Sequence, residues 1–302
     1  MKTMKHALAG FSLMGLVLAL PLAAAAGGKS FERRIAADAN GEVVISNVSG
    51  TVTVRGWDRN EVYVKGELDE DVQRVDVETA GSGRIIVKVV LPRGHVNDGE
   101  ASLDIQVPKN STVEVSAVSA DVSSRGVLGT QRLKSVSGEV VADVDGDNSE
   151  VRSVSGDVTV RGGGKPRSLR ISSVSGNIDA SGIAGKLDLV TVSGDARAHM
   201  EDATEVRGRT TSGDLEVRAK LTRDGRVDVE GVSGEMTLRV AAPDGLALEI
   251  ESFSGDIQGC LANDVERVSK YGPGTRLNHR TGDGGARVRA KTLSGDVDIC
   301  DR

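Results

Sequence analysis

One short step recurs along most of this chain. Close copies of Ser153-Val154-Ser155-Gly156-Asp157-Val158-Thr159-Val160 return with Ser-Gly pairs beginning at Ser137, Ser155, Ser175, Ser193, Ser212, Ser233, Ser254 and Ser294. The steps between them are 18, 20, 18, 19, 21, 21 and then 40 residues. Ser119-Ala120-Asp121 is a degenerate copy 18 residues earlier, and Ser49-Gly50 a distant one. A unit of this length cannot bury its apolar side alone, so it must stack on its neighbours.

Aligned on the Ser, the copies show a period of two. Six, four, two and one positions before it stand Leu169, Ile171, Ser173 and Val174 in one copy, and Leu187, Leu189, Thr191 and Val192 in the next. Nearly every copy is small or apolar there. Three and five positions after it stand Val158 and Val160, Ile178 and Ala180, Leu215 and Val217, or Met236 and Leu238, with polar residues between. That alternation marks a strand with one buried face. Each repeat therefore reads as two short strands meeting at a Ser-Gly corner, followed by a variable return such as Arg161-Gly162-Gly163-Gly164-Lys165-Pro166. Glycine suits the corner because it takes a positive φ without a Cβ clash.

Repeats stacked at the inter-strand spacing of about 4.8 Å would align equivalent positions in columns. The expected fold is all-β, a parallel β-solenoid of roughly 20-residue coils with two main strands per coil. Val158, Ile178, Leu189, Leu215, Val229 and Ile250 should point into one core. Antiparallel hairpins compete with this reading, but the fixed register between copies favours the solenoid.

Residues 1–26 read as a cleaved secretory signal: Lys2 and Lys5, an apolar run from Ala7 to Leu20, then Ala24-Ala25-Ala26. No Cys follows the run, which speaks against a lipid anchor, and no later stretch is apolar enough to span a bilayer. Loss of the two lysines takes the formal charge from -6 to -8, against nucleic acid as a default partner. The expected location is periplasmic or extracellular. One Trp, two Tyr and 38 Gly suit narrow coils with room for small layers only.

Residues 27–112 read as less regular β-coils continuous with the rest, residues 113–302 as the regular array. Leu261 to Gly285 departs from the pattern and reads as an insertion able to cover a solenoid end, whose unpaired strand groups invite aggregation.

The copies of Val-Ser-Gly-Asp-Val, the earlier Val48-Ser49-Gly50-Thr51-Val52-Thr53-Val54-Arg55-Gly56-Trp57-Asp58, the step Leu103-Asp104-Ile105-Gln106-Val107-Pro108 and the final Thr292-Leu293-Ser294-Gly295-Asp296-Val297 resemble the bacterial putative-adhesin family of envelope proteins. The resemblance spans essentially the whole mature chain. It implies the solenoid fold and an adhesin-like role, and says little about activity, because fold alone does not give function.

The conspicuous polar constellation is a row two positions after each Ser: Glu139, Asp157, Asn177, Asp195, Asp214, Glu235, Asp256 and Asp296. It could hold cations, but Asn177 and the Glu residues interrupt a metal row. The simpler reading is that each Asp accepts a backbone hydrogen bond at its own turn. Asp143-Val144-Asp145-Gly146-Asp147-Asn148-Ser149-Glu150 starts like a calcium loop, yet Asn148 stands where Gly is required and Val154 where a bidentate Glu is required. An acidic return loop fits better. His95, His199 and His279 stand alone without metal-site spacing. The corner serines lack a nucleophile elbow, and Gly162-Gly163-Gly164-Lys165 lacks the spacing of a phosphate loop. A glycan-active enzyme would need paired carboxylates and aromatic platforms.

These readings converge on a non-enzymatic exported envelope protein with no cofactor, metal, nucleic-acid partner or membrane span. Its long charged faces would form an adhesin-like scaffold for an envelope protein or surface glycan. An envelope-stress accessory that binds a ligand and a glycan-active β-helix enzyme are the alternatives.

Cys260 and Cys300 each lie six positions after their Ser, hence in one column. Two coils of travel would separate their Cα atoms by about 9.6 Å, beyond the roughly 7 Å limit for a disulfide, and one coil by about 4.8 Å. With Leu261 to Gly285 as an insertion inside one coil, a Cys260 to Cys300 bond is expected, stapling a terminal coil with a neighbour on one side only. Two small buried thiols are the alternative.

Overall fold

The computed structural model describes residues 28–81, 83–92, 99–268 and 273–299. Residues 1–26, expected to be a signal sequence, and His95 and Cys300 lie outside these residues. The protein is all-β: among the described residues 22 strands join in one hydrogen-bonded sheet, with a single 3-10 turn besides, Ala262–Asp264.

Alternation in sequence becomes alternation in burial. Strand Ala286–Thr292 buries every second residue, as does Val140–Val144 apart from half-buried intervening positions. Equivalent positions then pair in parallel from repeat to repeat. After the corner, Val140 faces Val158, then Ile178, Ala196, Leu215, Met236, Val297 and Ile257. Before it, Leu133 faces Val151, then Ile171, Leu189, Gly208, Val229, Ala290 and Ile250. Both rows feed one aliphatic core, and the six residues expected there are all buried in it. Gly208 is the small member of its column because a Cβ there would come 2.9 Å from Leu215 Cδ2 and 3.0 Å from Val229 Cγ1.

The order of the columns departs from the order of the chain. Val297 lies between Met236 and Ile257, so the last repeat in sequence is flanked on both sides and the Ser254 repeat lies outside it. This corrects the expectation that the C-terminal repeat has one neighbour. The other end shows the same feature. Strand Glu42–Trp57 has Thr112–Arg125 along one edge, with Arg84–Val90 and Glu100–Pro108 along the other, so a later segment packs outside an earlier one.

Antiparallel strands line the outer edges at both ends. Arg74–Ala80 pairs with Arg84–Val90, and Glu61–Leu68 with Glu100–Pro108, followed outward by Lys29–Ala36. At the opposite end Thr275–Arg280 runs along Leu246–Ser252, and Val265–Arg267 along Thr275–Arg280. Pairing these edges satisfies backbone groups that would otherwise template a foreign strand.

Two local expectations change. Not all returns are loops: Ile178–Thr191, Ala196–Thr210 and Leu215–Gly231 each run from one repeat into the next. The first two change register between Ala180 and Lys186 and between Met200 and Glu205 as they pair, a bulge-like way to turn a strand without ending it. Most corner glycines also serve a different purpose, whereas Gly50 and Gly234 have the expected positive φ, 102° and 105°. Gly156, Gly176, Gly194 and Gly213 do not have positive φ. A Cβ on Gly156 would collide with the carbonyl oxygen of Gly138, and one on Gly176 with that of Gly156. Close approach of neighbouring backbones, not handedness, excludes a side chain at these corners.

Candidate interaction edge

Each corner is built in three steps. Two positions before the Ser, a hydroxyl is buried in most repeats, among them Ser135, Ser153, Ser173, Thr191, Thr210, Ser252 and Thr292. Ser173 Oγ accepts the Gly176 N–H at 3.0 Å, and Thr210 Oγ1 and Ser252 Oγ do the same for Gly213 and Gly255. The hydroxyl thus satisfies the glycine donor where the chain leaves the strand. The sequence marks this row as small or apolar and misses its polar role; the recurrence of Ser or Thr there was the available signal.

One position before the Ser the side chain points outward. Val48, Val118, Val136, Val154, Val174, Val192, Val232, Phe253 and Leu293 are between 40% and 56% exposed. The sequence marks them as small or apolar together with the residue before, without assigning a side. The two residues before the corner instead divide, one in and one out, as strand alternation requires. The Ser N–H then bonds the carbonyl of the neighbouring repeat's outward residue, Ser155 to Val136 and Ser175 to Val154, each at 2.8 Å. This stacks the apolar side chains in a ridge.

Beside the ridge runs the acidic row. Asp157 Oδ1 accepts the backbone N–H of Asn177 at 2.8 Å, Asn177 Oδ1 that of Asp195 at 3.0 Å, Asp195 that of Asp214 at 3.1 Å, and Asp214 that of Glu235 at 2.8 Å. Asp296 does the same for Asp256 at 2.9 Å, and Asp121 for Glu139 at 2.8 Å. The acceptor therefore serves the next repeat and not its own turn, a correction to the sequence reading. Asn177 fits the row because its amide oxygen accepts the same bond. Among the described residues, none of these acids forms an ion pair, and no group of three or more His, Cys, Asp or Glu is disposed to hold a metal.

The flat faces differ. Their charges pair across repeats: Lys134 with Glu114 at 3.5 Å, Arg170 with Asp188 at 2.7 Å, Lys186 with Glu205 at 3.5 Å and Arg289 with Glu249 at 2.8 Å. Glu251 takes Lys291 at 3.2 Å and Arg276 at 2.7 Å, and the Lys291 hydrogen bond outweighs burial to hold its carboxyl below the usual range. Charge on the faces is largely spent within the sheet, whereas the edge keeps exposed apolar surface beside unpaired carboxylates.

The remaining sequence features have local roles. Asp147 Oδ1 accepts the N–H groups of Asn148 and Ser168, and Asn148 has a φ of 54°, which makes the calcium-like segment a tight return. Gly164 N–H bonds Gly182 O at 3.0 Å in another return. His199 Nε2 lies 3.6 Å from Glu201 Oε1. His279 Nδ1 lies 2.8 Å from Asp264 Oδ2, a pair that sequence reading missed because it forms within the non-repeating segment. Trp57 and Tyr63 stack with centroids 6.4 Å apart, but Arg59 covers one ring at 5.0 Å and Arg34 the other at 4.2 Å. Cys260 is exposed and its Sγ lies 3.1 Å from Ile299 O. Strands Ile257–Gly259 and Val297–Ile299, which end just before the two cysteines, are direct parallel neighbours.

The repeated all-β architecture and its corner edge define a family-level identity. Residues 37–300 match the model of the Toastrack DUF4097 family, and the chain belongs to that family. No curated protein matches the chain. Among solved structures it is similar to a putative lipid binding protein from Parabacteroides distasonis, at 15% identity and a TM-score of 0.51, over 90% of this chain and 96% of that one. It is also similar to a putative adhesin from Bacteroides fragilis at 10% identity, TM-score 0.42, over 90% and 97%. A putative adhesin from Parabacteroides merdae matches at 12% identity, TM-score 0.34, over 90% and 96%. At these identities the likeness concerns the fold alone.

Proposed function

We propose that this protein is a non-enzymatic, exported component of the cell envelope, periplasmic or extracellular after signal cleavage, working as an adhesin-like interaction scaffold. The parallel repeats form a β-solenoid, with 27–112 as its irregular part, 113–302 as its regular part and 261–285 as an insertion. Cys260 and Cys300 are disulfide-bonded, one step apart in the stack. The partner is an envelope protein or a surface glycan.

One observation carries the functional reading: the apolar ridge beside unpaired acids, repeated along the array while the flat faces neutralise themselves. Contiguous exposed apolar surface rimmed by polar groups marks interaction sites. A photocrosslinking side chain placed at Val174 in intact cells should capture a discrete adduct that the same group at Thr159, on a flat face, does not. Equal capture from both positions would remove the edge from the proposal. Non-reducing mass analysis of the purified protein tests the disulfide, and two alkylatable thiols after denaturation would reject it.

A further inference from the structure

At the end occupied by the Ser254 repeat, the core is left open. The strand after the corner is short there, Ile257–Gly259, while Leu246–Ser252 and the closing strand Thr275–Arg280 run for seven and six residues. The result is a cavity of about 200 Å³. Leu238, Val240, Leu248, Ile250, Val288 and Ile299 supply most of its wall. A dry cavity of about 150 Å³ with comparable walls takes up benzene-sized apolar molecules.

Its polar lining is Cys260, Thr281 and His279. The inward positions of Thr275–Arg280 pass from buried Leu277 to His279, a quarter exposed. Thr281 Oγ1 already accepts the Leu246 N–H at 2.9 Å. His279 Nδ1 is held by Asp264 Oδ2, so Nε2 is the ring atom left for a ligand. With Nδ1–H directed at Asp264, the neutral ring presents Nε2 only as an acceptor, whereas the imidazolium presents a second N–H there that a carboxylate can accept.

We propose that this cavity binds a single-chain amphiphile, the alkyl chain among Leu238, Leu248 and Ile250 and an anionic carboxylate head on His279. The chain gains by leaving water for an apolar enclosure. The head group makes the charge-assisted bond that distinguishes a fatty acid from an alcohol of equal length.

Titration of the purified protein with octanoate, followed by methyl NMR, should give saturable shifts at Leu238, Leu248 and Val288, and butyrate should bind at least tenfold more weakly. Leu248→Trp fills the slot and should abolish octanoate binding without lowering the melting temperature; if that variant does not fold, Val240→Phe takes its place. His279→Gln should weaken octanoate about tenfold, the loss of one hydrogen bond to a charged group, and weaken octan-1-ol, which can only donate to a neutral ring, distinctly less. The absence of saturable shifts, or binding by the filled variant equal to wild type, would overturn the site. An equal effect of His279→Gln on acid and alcohol would overturn the placement of the head.

Discussion

In the middle of the array, from Gln131 to Ala241, neighbours in the chain are neighbours in the stack; beyond Ala241 they are not. The register is the same in both regions, so register alone does not order the stack. Any repeat can present an equivalent ladder to any other, and the connection decides which slot it reaches. Ala242-Pro243-Asp244-Gly245 joins Met236–Ala241 to a strand two slots away, roughly 9.6 Å. Four residues reach about 13 Å when extended, so the skip requires no unusual length. The longer connection between the Ser254 and Ser294 repeats then lets the chain return and fill the gap.

The sharpest way to break this comparison is a crosslink that only one order permits. With Cys260 and Cys300 replaced by Ser, Thr237→Cys and Asp298→Cys should form a disulfide, since these residues are paired in register. Thr237→Cys with Gln258→Cys should not, because two slots exceed the roughly 7 Å limit. Non-reducing gel mobility reads the result, and the reverse outcome would restore the order of the chain.

Burial separates the two regions next. Val158→Asp buries an unpaired charge between two neighbouring repeats and should cost about 4 kcal/mol or more, with Thr159→Asp costing under about 0.5. Ile257→Asp, in a three-residue strand at the open end, should cost less than half as much as Val158→Asp. Urea denaturation measures all three, and equal losses for Val158→Asp and Thr159→Asp would reject the register.

The corner gives a smaller effect. Gly176→Ala drives a methyl against the Gly156 carbonyl and should cost about 1–3 kcal/mol, as overpacking does. Gly164→Ala, in a return with open space around it but a φ of 70°, carries only backbone strain and should cost about 1 kcal/mol. Thermal melts that rank the two the other way would reassign the role of the corner glycine to its conformation.

The smallest effect is electrostatic and belongs to the rearranged end. Glu251 has a folded pKa lowered chiefly by its hydrogen bond with Lys291. Its contribution is therefore present above the unfolded carboxylate value of about 4.3 and lost as pH falls through the lower folded value. Glu251→Gln should remove under about 1 kcal/mol at neutral pH and almost nothing once both states are protonated. Denaturation midpoints across the acid range check this, and a difference that grows on acidification would show the opposite sign.

Sequence by itself determined the elements and their register. A period of two around a recurrent corner leaves one face to bury, and Val158, Ile178, Leu189 and Leu215 lie where that argument puts them. It also exposed the acidic row, although not the donor each member serves, because Asp157 and Asn177 are 20 residues apart and meet only when repeats stack. Tertiary structure alone decided the rest. The outward turn of Val154 and Val174 depends on which side of the corner each residue leaves. The swap of the last two repeats leaves no mark in the steps of 21 residues that precede it. The pairing of His279 with Asp264 depends on a segment without period. A repeating pattern specifies how each unit can pair, and every unit offers the same edge. Which edge it meets depends on chain connections and on the closing of the ends, and these are properties of the whole stack.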